Sequence, residues 1–264
     1  MTVDKQVPSI PHYRLPSYKV EGSGPLLIYV AGLDGTGQLL FKQIPALSVD
    51  YRVVTYRSRD HGSFTYEELA ADVAAIIRDL GERRATVLGE SFGGTVALWF
   101  AILHPDLVER LVIVNSFPRF RGRVRIKAVQ RLASVASNRF TWAIRAIVSR
   151  AGLILDGVAR PDRRRVLEVL RTVGMEGYGR RLQLIRDLDL DDAISSIRRP
   201  TLFIAATRDL VVPSVSEARF MTSRIPGSTI RIVPGVGHAC LLGDRVRLAS
   251  ILADWTKAGR GPLS

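Results

Sequence analysis

Three polar side chains stand where acyl-transfer chemistry would need them: Ser91, Asp209 and His238. The strongest signal is Gly89-Glu90-Ser91-Phe92-Gly93-Gly94, a G-x-S-x-G pattern. A serine hydroxyl is a weak nucleophile. It needs exposure to substrate, a base within about 3 Å, and donors for the charge that develops on the carbonyl oxygen. A sharp strand-to-helix turn provides the exposure, and its crowded backbone calls for small residues such as Gly89 and Gly93. The first N–H groups of the following helix have no intrahelical partner and carry the positive end of its dipole.

The base is chosen from four histidines. His12 lies in the N-terminal tail, His61 in a polar loop, and His104 before Pro105 at a helix end, where a capping role fits. Only His238, in Val236-Gly237-His238-Ala239, follows an expected central strand on a glycine-flanked loop. Asp209, in Arg208-Asp209-Leu210-Val211-Val212-Pro213, follows another strand and would orient the imidazole. The loop Ala31-Gly32-Leu33-Asp34-Gly35-Thr36-Gly37 follows the first central strand. It can aim the Leu33 N–H into the site, to form an oxyanion hole with the Phe92 N–H. The loop has neither the G-x-G-x-x-G spacing nor the lysine of a nucleotide-binding loop.

Apolar runs at Leu26–Val30, Tyr51–Tyr56, Ala85–Gly89, Leu111–Val114, Thr201–Ala206 and Thr229–Val233 read as strands, with a further N-terminal one at Tyr18–Glu21. Helical spacing falls between them. Thr65 and Glu68 form a capping box, Leu69, Val73, Ile76, Ile77 and Leu80 an apolar stripe, and Gly81 a stop. Further helices are expected at Phe92–His104, Ser214–Arg224 and Asp244–Lys257. Alternation of this kind predicts an α/β fold with a mostly parallel sheet covered by helices on both faces. It lapses once, between Asn115 and Pro200. Apolar spacing there suggests a helical lid over residues 116–199, inserted in a core formed by 1–115 and 200–264.

Charge follows the same division. The formal net charge is +13 over the chain. Residues 116–200 hold 19 basic and 8 acidic side chains, a net +11. Arg123, Lys127 and Arg131 would form a basic stripe on one lid helix. Such a surface could meet an anionic membrane or an anionic acyl carrier such as coenzyme A, or it could simply be a solvated face. No nucleic-acid-binding motif accompanies it. With 47% apolar and 24% charged residues the composition is that of a globular protein, which excludes disorder and collagen-like repeats. The single cysteine, Cys240, excludes an intrachain disulfide and a cysteine-held zinc. No run approaches the roughly 18 apolar residues of a membrane span, and the first 13 residues lack a secretion-signal core. The expectation is a cytoplasmic protein, at most peripheral to a membrane.

Together the Gly-Leu-Asp-Gly-Thr-Gly loop and Gly-Glu-Ser-Phe-Gly-Gly resemble the esterase and acyltransferase-like proteins of the α/β-hydrolase fold, over roughly residues 20–258. The resemblance implies Ser91 as nucleophile, Asp209 as acid and His238 as base, in the chain order usual for that fold. Two positions depart from the pattern. Ala31 replaces the histidine that usually precedes the oxyanion glycine. Asn115 ends the fourth strand, where some relatives carry their acid. A serine at 91 argues against dehalogenases and epoxide hydrolases of this fold, which use aspartate. The implied activity is hydrolysis of a small-molecule ester through an acyl-enzyme, without metal or organic cofactor. Thioester hydrolysis, acyl transfer and perhydrolysis would use the same residues. A lyase, or a non-catalytic ligand-binding protein on the same fold, are the alternatives of a different kind.

Overall fold

Runs of apolar residues that must be buried on both faces dictate the centre of the molecule. The computed structural model describes residues 15–121 and 158–258. Seven strands form one sheet: β1 (Tyr18–Glu21), β2 (Leu26–Val30), β3 (Arg52–Tyr56), β4 (Ala85–Glu90), β5 (Val108–Val114), β6 (Thr201–Ala206) and β7 (Ser228–Val233). Their order is β1-β3-β2-β4-β5-β6-β7. Only β1 runs antiparallel, against β3. The other pairings are parallel, as the alternating pattern predicts.

Successive side chains along each strand enter different cores. Ile28, Val30, Val87, Ile113, Phe203 and Ala205 pack on one face. Leu27, Tyr29, Leu88, Val112, Ile204 and Ala206 pack on the other. The first face is covered by α2 (Tyr66–Asp79) and α3 (Phe92–Leu103), and by α6 (Ser214–Arg224) toward β6 and β7. The second is covered by α1 (Ile44–Leu47) and α7 (Leu248–Ala258). Thr65 caps α2 with both halves of the capping box formed, an arrangement worth about 1 kcal/mol.

Two boundaries shift from the sequence reading by three residues or more. Strand β5 begins three residues before Leu111, because Val108 is fully buried beside Ala85. The last helix begins at Leu248 rather than Asp244. Gln43 explains the delay. Its amide donates to the Leu241 and Val246 carbonyls and accepts from the Leu248 N–H at 3.1 Å, so a side chain takes the place of a helical turn.

Between β5 and β6 the described residues contain α4 (Arg160–Arg171), α5 (Met175–Asp187) and no strand. The stripe at Arg123, Lys127 and Arg131 lies outside the described residues, as does His12. Some of the insertion's arginines are paired: Arg119 reaches Asp189 and Arg121 reaches Asp191 within it, and Arg121 also reaches Glu217 of the core. No described helix is long and apolar enough to cross a membrane.

Candidate active site

Parallel pairing puts the carboxyl ends of β2, β4, β5, β6 and β7 along one edge, and each is followed by a loop that reaches the same point. Ser91 occupies the turn between β4 and α3 with φ 54° and ψ −119°. Its hydroxyl makes no cap bond to α3. The turn closes only because its flanks are glycine. A Cβ at Gly93 would lie 2.0 Å from the Val30 carbonyl oxygen, and one at Gly89 2.5 Å from that of Gly93. The Ser91 N–H donates to the Val114 carbonyl, and Ser116 Oγ donates to the Ser91 carbonyl, which fixes the strained backbone from the β5 side.

Sequence reasoning placed Ser91, Asp209 and His238 more than a hundred residues apart at the extremes, and the fold brings all three together. His238 Nε2 lies 2.9 Å from Ser91 Oγ, and Nδ1 lies 2.7 Å from Asp209 Oδ2. Asp209 also accepts from the N–H groups of Val211 and Val212 and from the Ser214 hydroxyl. Burial raises its proton affinity, but the His238 hydrogen bond and charge, with Ser214 and the Val212 N–H, outweigh that and hold the carboxyl below its ordinary value. The acid and histidine loops are tied to each other. Arg208 donates its N–H to the Val236 carbonyl, and Thr207 Oγ1 accepts from the Gly235 N–H.

The loop after β2 lies against the serine, with a Cβ at Gly32 only 3.5 Å from Ser91 Cβ. It turns tightly, with the Gly35 N–H donating to the Gly32 carbonyl. Asp34 closes the next turn by accepting from the Thr36 N–H and hydroxyl. Among the described residues, neither the Leu33 N–H nor the Phe92 N–H has a hydrogen-bond partner. Both are donors on backbone beside Ser91.

Sequence reasoning missed several contributors. Asn115 registered only as the absence of an acid, yet it joins three loops. With φ 47°, it donates to the His238 carbonyl at 2.7 Å and to Cys240 Sγ, and accepts from the Ala206 N–H. Glu90 fills a variable position of the motif, and Tyr29 donates its hydroxyl to it at 2.6 Å. Burial pushes this carboxyl up to about 7, only partly offset by the tyrosine and by His238. The Arg181 side chain, from the insertion, reaches beneath the loop after β2. No local signal marks any of these partnerships. The other two described histidines stay apart: His104 packs on Phe100, and His61 lies beside Glu176.

Beside Asp209 a cavity of about 350 Å³ is lined by Phe117, Phe120, Val211, Val212 and Pro213, with Arg119 and Arg121 at its margin. The described residues contain no group of three or more histidine, cysteine, aspartate or glutamate side chains placed to hold a metal ion.

Comparison with known proteins matches these features. Two curated relatives carry the name "Putative carbamate hydrolase RutD". The one from Caulobacter sp. (strain K31) is 29% identical over 223 residues, 80% of this chain and 83% of its own length. The one from Serratia proteamaculans (strain 568) is 28% identical over 242 residues, 88% of this chain and 90% of its own. A crystal structure of a hydrolase from Pseudomonas aeruginosa PA01 superposes with a TM-score of 0.77 at 25% identity, covering 93% of this chain and 94% of that one. The model of the alpha/beta hydrolase fold matches residues 25–244, and with the elbow, the sheet order and the converging loops it establishes that this chain belongs to the α/β-hydrolase fold family.

Proposed function

We propose that this protein is a serine hydrolase that cleaves a carboxylic ester through an acyl-enzyme. The observation that carries the reading is the unbroken hydrogen-bonded line from Ser91 Oγ through His238 to Asp209. In this mechanism His238 Nε2 takes the hydroxyl proton as Ser91 attacks the carbonyl carbon. The carbonyl oxygen becomes an oxyanion, met by the Leu33 and Phe92 N–H groups. His238 then gives its proton to the leaving alcohol, and Asp209 holds the imidazolium throughout. A water, deprotonated by the same histidine, attacks the acyl-enzyme and frees the acid. The sequence of steps uses no metal or organic cofactor.

A second acyl class has support of its own. The relatives are named for a carbamate, whose carbonyl offers the same electrophilic carbon bearing a nitrogen. The basic insertion extends the reading to acyl groups on an anionic carrier, as thioesters.

The test is hydrolysis of p-nitrophenyl esters from acetyl to palmitoyl, with a p-nitrophenyl carbamate and an acyl-coenzyme A alongside. A fluorophosphonate should mark Ser91, located by peptide mass spectrometry. Ser91→Ala should lower turnover by at least about 10³-fold and abolish the adduct, with the circular dichroism spectrum unchanged. Turnover that survives Ser91→Ala would end the reading. A folded protein that binds acyl compounds without turnover would favour a ligand-binding role. Turnover without a covalent intermediate would favour a lyase.

A further inference from the structure

Arg181 is fully buried, the largest side chain among the described residues to be so. It belongs to α5 in the insertion, yet its guanidinium lies under the loop that carries Leu33. Nη1 donates to the Leu33 carbonyl at 3.3 Å, and Nη2 donates to the Arg59 carbonyl at 2.6 Å. Asp60 Oδ1 stands 3.5 Å from Nη2. The group lies flat on Gly35, where a Cβ would come within 2.2 Å of Nη2 and 2.4 Å of Cζ. Gly35 has φ +64°, so two independent constraints, conformation and the guanidinium, require glycine there. A further donor, Nε, is buried without a partner.

This is a poor way to gain stability. Removing a guanidinium from water is costly, and one carboxylate at 3.5 Å with two carbonyls returns little of that cost. An apolar side chain of similar volume would fill the space more cheaply. The contact made at that cost is specific, however. Leu33 and Asp34 are the two central residues of the turn closed by the Gly35 N–H and the Gly32 carbonyl. The two ends of such a turn can stay fixed while its central peptide rotates. Rotation of that peptide, which joins Leu33 to Asp34, would turn the Leu33 carbonyl out of its bond with Arg181 and remove the anchor from the residue that carries the Leu33 N–H. An oxygen lone pair swung toward Ser91 would oppose a developing oxyanion.

We infer that Arg181 is a positioning residue: from the insertion, it clamps the Leu33 carbonyl, which keeps that oxygen turned away from the oxyanion and anchors the residue whose N–H would meet it. The inference rests on the serine-hydrolase reading above. It makes the insertion part of the active site's construction, because the Leu33 carbonyl meets the Arg181 guanidinium only when α5 is seated. Gly174 and Gly177 allow that seating, since a Cβ at either would come within 2.8 Å of Asp60.

The test compares wild type with Arg181→Lys and Arg181→Met on the best p-nitrophenyl ester. Full loss of an oxyanion donor typically costs about 10²–10³-fold in kcat. A displaced donor should cost less, so kcat is expected to fall about 10–100-fold in Arg181→Met and less in Arg181→Lys, which can still reach one carbonyl. KM should stay within about threefold, and the pH profile should not move, because the Ser91–His238–Asp209 line is untouched. Affinity for phenylboronic acid, which forms a tetrahedral adduct on the serine, should weaken in step with kcat/KM. Unchanged kcat in either folded variant overturns the inference, and so does a rise in KM alone. If neither variant folds, Asp60→Asn keeps the guanidinium but weakens its anchorage. A kcat loss at constant KM then supports the clamp, and unchanged kcat overturns it. Fluorophosphonate labelling separates the two readings. With Ser91 labelled and kcat insensitive to Arg181, only the clamp fails. With no Ser91-dependent turnover and no adduct, the hydrolase reading fails and the clamp falls with it.

Discussion

Two carboxylates lie within electrostatic reach of His238, at the ends of strands separated by β5, and the protein treats them in opposite ways. Asp209, after β6, accepts from four donors: the Val211 and Val212 N–H groups, the Ser214 hydroxyl and His238. Its carboxyl is held below the ordinary range against the cost of burial. Glu90, at the end of β4, is met by the Tyr29 hydroxyl, and burial lifts it to about 7. Burial alone therefore does not decide which carboxylate stays charged. The number and charge of the donors do. In the proposed mechanism the group that supports the imidazolium must be ionised at every working pH, and only the richly hydrogen-bonded aspartate meets that requirement. Glu90 instead titrates in the range where cells operate.

The contrast can be broken most severely at Asp209. Asp209→Asn should cost about 10³–10⁴-fold in kcat, because the amide can present its NH₂ to Nδ1 and favour the wrong tautomer. Steady-state hydrolysis of the preferred ester measures it, and a loss below tenfold would put Asp209 on a level with Glu90.

Glu90→Gln should act on stability instead. A folded-state value raised from 4.5 to about 7 means that the cost of ionising Glu90 sets in as pH rises through 4.5, grows until about 7 and is constant above it. The variant should therefore match wild type near pH 4 and exceed it near pH 8.5, by on the order of 3 kcal/mol. Urea denaturation at the two pH values reads the difference. A gap independent of pH would mean that the glutamate is already ionised throughout.

The smallest effect is expected at Ser214. Removing one of four donors should lower stability by about 1–2 kcal/mol at pH 7. Because the folded-state value of Asp209 is depressed, its contribution is present above its unfolded value and is lost as pH falls through the folded one. The gap between Ser214→Ala and wild type should therefore shrink toward pH 3 in the same denaturation experiment. Activity should fall only a few-fold, since His238 and two N–H groups still face the carboxylate.

How far the sequence discloses this arrangement depends on how local each cause is. Ser91 is legible because the turn that exposes it also demands Gly89 and Gly93 beside it. The strands are legible because burial on both faces leaves unbroken apolar runs, and Leu26–Val30 and Thr201–Ala206 keep the same limits in the structure. The α2 cap is legible because Thr65 and Glu68 are three residues apart. Other features rest on distance. Tyr29 meets Glu90 only because β2 pairs with β4, across 61 residues. Arg181 resembles any other arginine of a basic segment, and its burial depends on carbonyls 122 and 148 residues away. The start of α7 is delayed by Gln43, about 200 residues earlier in the chain. Sequence patterns record which surfaces must be covered. They do not record which side chain crosses from one element to satisfy another.

Cys240 turns the packing behind His238 into a clock. It is the chain's one thiol, it is buried, and burial pushes its ionisation upward. An alkylating reagent must therefore wait for the loop that carries His238 to lift from Asn115 and the sheet edge. When reclosing outruns chemistry, the labelling rate is the opening equilibrium multiplied by the intrinsic thiol rate. When it does not, the rate is the opening rate itself. Raising the reagent concentration passes from one regime to the other. The native chain thus reports, without an attached probe, how often its histidine loop comes undone and how fast it returns.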